Sequence, residues 1–169
     1  MTMKSSDRIL LQLLSAAINA QNPTLDRALS DSEWNLVYGQ AAKQGVLAVM
    51  WESVRRLPQD LQPSRSLKLQ WAYGAEQIVS RSKRQMQEAA RFATLCADAG
   101  CRLILLKGIG LSRYYPVPLQ RECGDIDILL PEGFEIGNEI AKSHGMTISG
   151  LDYKHNHIYS NGIMFENHR

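Results

Sequence analysis

The stretch Gly124-Asp125-Ile126-Asp127-Ile128-Leu129-Leu130 decides how the second half of the chain is read. Side chains alternate between faces along a strand, so Ile126, Ile128 and Leu130 go to a core while Asp125 and Asp127 share the opposite face. Two carboxylates about 7 Å apart on one strand face repel each other unless a cation sits between them. Hard oxygen donors at that spacing suit Mg²⁺ or Mn²⁺. Taken alone, Asp-x-Asp reads more readily as two solvated acids on an exposed strand, so the flanking sequence matters.

Upstream, Arg102-Leu-Ile-Leu-Leu106 has the composition of a buried strand. Lys107-Gly108 then turns the chain into a short helix over 109–115. Glycine lets the backbone approach a phosphate, the N–H groups at the helix start point toward it, and Lys107 adds a cation. Pro116 and Pro118 mark a loop. Downstream, Pro131 ends the Asp-bearing strand, 134–144 reads as a helix stopped by Gly145, and 146–149 as a strand. Residues 155–160 and 163–168 form a hairpin through Asn161-Gly162, the strongest short-range hairpin signal.

A two-residue turn fixes the hairpin register. Ser160 faces Ile163, Tyr159 Met164, Ile158 Phe165, His157 Glu166, and His155 His168. His155, His157, Glu166 and His168 then share one sheet face. A histidine opposite a glutamate can orient that carboxylate beside a metal. His155 and His168 read as readily as exposed imidazoles. The His-x-His pair has no thiolate or carboxylate at a zinc-like sequence spacing, which argues against zinc.

Before Gly100 the chain reads helical throughout. Residues 7–20 carry Ile9, Leu10, Leu13, Leu14, Ala17 and Ile18 on one stripe, ended by Asn22-Pro23. A second helix opens at Ser32 and turns Trp34, Val37 and Ala41 inward until Gly45. A third runs over 46–57, and Pro58 closes it. A long helix over about 66–99 has the stripe Leu67, Trp71, Ala75, Ile78, Ser82, Met86, Ala89, Ala93 and Cys96, with Gly100 just past its end. Its basic face, with Arg81, Lys83, Arg84 and Arg91, reads as a solvated face. The expected domains are a helical region over 1–99 and a compact core over 100–169.

Composition bounds the function. The chain has 169 residues, 44% of them apolar and 21% charged, which is ordinary for a globular protein able to bury a core. Nineteen Lys/Arg against seventeen Asp/Glu leave a net charge of +2, too small to argue for nucleic acid or a membrane surface. Three cysteines, at 96, 101 and 123, match no zinc spacing and read as reduced thiols of a cytoplasmic protein. No run is apolar enough for a signal peptide or a membrane span.

Leu106-Lys107-Gly108, Tyr115-Pro116, Arg121, Gly124-Asp125-Ile126-Asp127-Ile128-Leu129, His155-Asn156-His157 and Phe165-Glu166-Asn167-His168 together resemble the uncharacterised nucleotidyltransferase-like family of bacteria. That family belongs to the DNA polymerase β-like nucleotidyltransferase superfamily. The resemblance covers residues 100–169 most strongly. It implies an α+β fold, a helical N-terminal region followed by a small mixed sheet with flanking helices. It also implies metal-dependent transfer of a nucleoside monophosphate from a nucleoside triphosphate to a hydroxyl acceptor, which the sequence leaves open between a protein and a small molecule. Carried over, Asp125, Asp127 and Glu166 are the metal-binding and catalytic acids, holding Mg²⁺ or Mn²⁺. Lys107 and Gly108 are the phosphate turn. The superfamily usually has a serine or second glycine after the turn glycine, where this chain has Ile109. Ser112 is expected to substitute, and Arg121 to offset phosphate charge. The alternative is an inactive nucleotide-binding or regulatory protein that keeps the fold. Relatives continue past the glutamate strand, so the chain is expected to be truncated at its C-terminus, with a terminal strand that frays.

Overall fold

A computed structural model of the chain describes residues 4–150 and 154–169. It is an α+β protein with a helical N-terminal region and a five-stranded mixed sheet. Two compact units divide the chain. One takes in the chain up to Arg81 together with Ser112–Glu122, and the other Ser82–Leu111 with Cys123–Arg169.

The first unit is built on α1 (Ser5–Ile18), α2 (Asp31–Lys43), α3 (Leu47–Val54) and the start of α4 (Arg65–Asp98). Trp34, Val37, Ala41, Met50 and Trp71 are buried together, and the Trp34 and Trp71 rings meet edge to face with centroids 6.2 Å apart. Trp71 Nε1 donates to the Leu47 carbonyl at 2.9 Å, which satisfies its one polar atom. The N-cap of α2 is Ser30, two residues earlier than the hydrophobic pattern suggests. Its hydroxyl accepts from the Glu33 amide, and the Glu33 carboxylate accepts from the Ser30 amide at 2.9 Å. This reciprocal capping box outweighs Ser32 because only a residue three before Glu33 can close it.

The second unit holds the sheet. Its strands are β1 (Ile104–Leu105), β2 (Ile126–Leu129), β3 (Thr147–Ser149), β4 (His155–Ser160) and β5 (Ile163–His168), in the order β1-β2-β5-β4-β3. β2 and β5 are parallel, and the other neighbours are antiparallel. The hairpin register is the expected one at every position, from Ser160↔Ile163 to His155↔His168. Asn161 and Gly162 both take positive φ, 49° and 75°, as a type I′ turn requires. The terminal strand β5 lies inside the sheet, between β2 and β4, and is hydrogen-bonded on both edges.

One sheet face is covered by α5 (Phe134–Ser143) and the last turns of α4. Ile126, Ile128, Ile158 and Phe165 are fully buried there, and the Phe92 ring meets Phe165 edge to face at 5.4 Å. Three buried asparagines tie α5 to the sheet: Asn156 and Asn167 both donate to Asn138 Oδ1, at 2.7 and 3.2 Å, and Asn167 also donates to the Phe134 carbonyl.

The stripe of α4 departs from the hydropathy pattern in this unit. Gln85 and Phe92 face inward, whereas Met86 is 43% exposed and Ala93 only half-buried. The 3.6-residue period favours Gln85 over Met86 at that turn. The Gln85 amide is hydrogen-bonded in the interior, where Nε2 donates to the Gly124 carbonyl at 2.9 Å and the Cys123 carbonyl at 3.4 Å. Arg91 pairs with Glu88 at 3.1 Å and also donates to Ser160, while Glu88 accepts from Asn161 at 2.8 Å. Part of the basic face thus holds the hairpin turn. All three cysteines are free and buried, and burial pushes the Cys96 thiol up to about 11.

Phe92→Ala is expected to cost about 3–5 kcal/mol in urea denaturation, because it opens a cavity against Phe165. Glu33 supplies an acid-range test. Hydrogen bonds from Arg27, then from the Ser30 amide and hydroxyl, draw its carboxyl down to about 2. A depressed folded-state pKa means the contribution is complete above the unfolded value of about 4.3 and is lost as pH falls through the folded one. Carboxyl ¹³C titration should place the Glu33 midpoint near 2, and Ser30→Ala should raise it. A midpoint in the ordinary glutamate range would show the capping box to be open.

Candidate functional site

The sheet face opposite α5 gathers the acidic and imidazole side chains. β2 enters it beside β5 with Asp127 in register with Glu166. Neighbouring strands lie about 4.8 Å apart, so two carboxylates project from adjoining strands onto one surface. This is closer than the about 7 Å expected between alternate residues of one strand, and it needs a positive counterpart.

Lys107 supplies that charge. β1 pairs with β2, and the Leu106 amide donates to the Asp127 carbonyl at 3.1 Å, which sets Lys107 at the end of the Asp-bearing strand. Lys107 Nζ lies 2.9 Å from Asp127 Oδ1. The two side chains differ sharply in exposure, 60% for Lys107 and 3% for Asp127. His168, two residues past Glu166 and so on the same face, places Nε2 2.9 Å from the same Asp127 oxygen and 3.4 Å from Glu166 Oε2. Burial pushes the Asp127 carboxyl up, but the hydrogen bonds and charges of Lys107 and His168 outweigh it, and the carboxyl lies below its usual range. Lys107 is raised in return, first by its hydrogen bond to Asp127 and also by the charges of Asp125 and Glu166.

Gly108 follows with φ of +49°, a backbone that L side chains rarely adopt, and opens a 3₁₀ helix over Gly108–Tyr114. His157 faces Glu166 across the hairpin as expected, with Nε2 3.8 Å from Oε1, longer than a hydrogen bond. Asp125 lies just before β2, half-buried. Among the described residues, the groups of three ligand atoms lying within 4.8 Å of one another are Asp127/Glu166/His168 and His155/His157/Glu166, and Asp125 is in neither. Ser112 and Arg121 belong to the first unit. Ser112 is buried there, and the Arg121 guanidinium stands 5.9 Å from the Tyr115 ring centroid.

Sequence reasoning leaves His168 open between a partner on the Glu166 face and an exposed imidazole, and its two-residue offset from Glu166 is the signal that favours the first. Gln85 is invisible, since only the fold shows that it holds the carbonyl of Gly124, next to Asp125.

The donor set fits a hard divalent ion. Two carboxylates on adjoining strands, one of them buried, converge within 4.8 Å with an imidazole beside them. Among the described residues, no helix is long and apolar enough to cross a membrane.

No curated protein and no solved structure matches the chain. A family model does, over residues 30–169, which include most of the helical region and the whole sheet. By that match the chain belongs to the uncharacterised nucleotidyltransferase family.

Proposed function

We propose that this nucleotidyltransferase-like protein moves a nucleoside monophosphate from a nucleoside triphosphate to a hydroxyl acceptor, with Asp125, Asp127 and Glu166 as its acids. The observation that carries this is the pairing of Asp127 with Glu166 across parallel strands, with Lys107 against the buried member. Mg²⁺ or Mn²⁺, held by those acids, would neutralise the triphosphate and lower the pKa of the acceptor hydroxyl.

The chain's own residues do the rest. Asp127 is buried and held ionised, so it is a charged ligand throughout the neutral range. His168 fixes the orientation of its Oδ1 by donating to it. Lys107 has a mostly exposed side chain, and its ammonium can pass from Asp127 to an incoming phosphate without crossing a packed core. The Gly108 turn brings backbone beside that ammonium. Gln85 holds the approach to β2 by its grip on the Gly124 carbonyl.

The ammonium of Lys107 also favours a second reading. It occupies an oxygen that a metal would use, as in a nucleotide-binding protein that has given up turnover. Calorimetry with Mg²⁺ and each of ATP, GTP, CTP and UTP separates the two. For an active enzyme, binding requires Mg²⁺, Asp127→Asn abolishes it, and Lys107→Ala weakens it. Asp127→Asn should still fold, with a slightly lower Tm, since Lys107 and His168 lose their shared partner. Nucleotide binding that ignores both Mg²⁺ and Asp127→Asn would contradict the enzymatic reading and leave the binding protein.

A further inference from the structure

The open sheet face carries a second group of donors. His155 and His157 sit at i and i+2 on β4, so both imidazoles project from the same side, and the register sets His157 opposite Glu166. Their rings are 5.5 Å apart, and the ligand atoms of His155, His157 and Glu166 all lie within 4.8 Å of one another. The absence of a carboxylate at a zinc-like sequence spacing is thereby answered in three dimensions, because the neighbouring strand supplies one.

Two further features aim this group. The Glu166 carboxylate is divided: Oε1 faces His157 at 3.8 Å and Oε2 faces His168 at 3.4 Å. One oxygen therefore points to each donor group. Gly150 has φ of +65°, and a Cβ there would lie 2.9 Å from His157 Nδ1. The backbone thus covers the Nδ1 edge of the ring and leaves Nε2 toward Glu166. Two ligands of one tetrahedral zinc lie about 3.3 Å apart at ordinary Zn–N and Zn–O lengths, close to the 3.8 Å found.

We propose that His155, His157 and Glu166 form a second metal site, nitrogen-rich and suited to Zn²⁺, joined through the Glu166 carboxylate to the oxygen-rich site around Asp127. Two imidazoles and one carboxylate suit an ion softer than Mg²⁺, and with three protein ligands a fourth position stays open to water. The site requires no nucleotidyl transfer, although it shares Glu166 with the acids proposed for that reaction.

The test uses the full chain and ZnCl₂, without nucleotide or Mg²⁺. Calorimetry should show one saturable zinc, and imidazole NMR signals of His155 and His157 should shift on binding. His144, the one histidine outside β4 and β5, bonds the Ile140 carbonyl at 2.8 Å and should not move. The double variant His155→Ala/His157→Ala, left with one of the three ligands, should lose saturable zinc binding, while Asp127→Asn should keep it. Should the double variant unfold, the wild-type imidazole shifts decide the matter alone. No zinc uptake, shifts confined to His168, or a loss in Asp127→Asn as large as in the histidine variant would each overturn the proposal. Binding of Mg²⁺–nucleotide by a chain that ignores zinc would overturn it and leave the transferase reading standing. Zinc uptake by a chain that ignores Mg²⁺–nucleotide would do the reverse.

Discussion

β5 enters the sheet between β2 and β4, and that insertion sets one carboxylate against another. Asp127 and Glu166 come from segments 39 residues apart in sequence, yet they stand in register on parallel neighbours. Like charges on adjoining strands destabilise a sheet unless they are countered. Here the counter-charge comes from Lys107, just past β1, and the imidazole of His168 on β5 itself hydrogen-bonds the buried carboxylate. The opposite face absorbs the cost of holding this arrangement, with Ile126, Ile128, Phe165 and Phe92 packed under it and an asparagine cluster fixing α5. A surface that concentrates negative charge on a rigid, well-packed backing is pre-organised to receive cations.

Local structure is legible where it depends on local chemistry. Asn161-Gly162 sets the hairpin and its register residue by residue, because a two-residue turn leaves no freedom to slip. The alternation in Gly124–Leu130 places Asp127 and the core isoleucines correctly for the same reason. The parallel pairing of β2 with β5 is not legible, since no turn connects them and their contact depends on the whole intervening chain. The stripe of α4 misleads at Met86. Hydropathy has no way to favour a buried glutamine, and Gln85 faces inward to satisfy two carbonyls that come into place only once the loop before β2 has folded.

The candidate site shows the same division. Lys107, Asp127, Glu166 and His157 are recognisable from motif and register, and the structure brings them to one face. Whether a histidine hydrogen-bonds a carboxylate directly is decided by differences of less than an ångström, as between His168 at 2.9 Å from Asp127 and His157 at 3.8 Å from Glu166. Those distances arise from side-chain packing, to which a strand pattern is blind. Asp125 illustrates the opposite case. Its motif names it, while its position before the first paired residue of β2 leaves it outside both convergent donor groups.

The central claim is that Asp127 and Glu166 act together on one divalent ion. Crystals grown with MnCl₂ and a non-hydrolysable nucleoside triphosphate, measured for anomalous scattering at the manganese edge, test it most directly. The expected result is a peak between the two carboxylates, with Lys107 displaced from Asp127 Oδ1. An ordered nucleotide with Lys107 still on Asp127 and no manganese between the acids would contradict it.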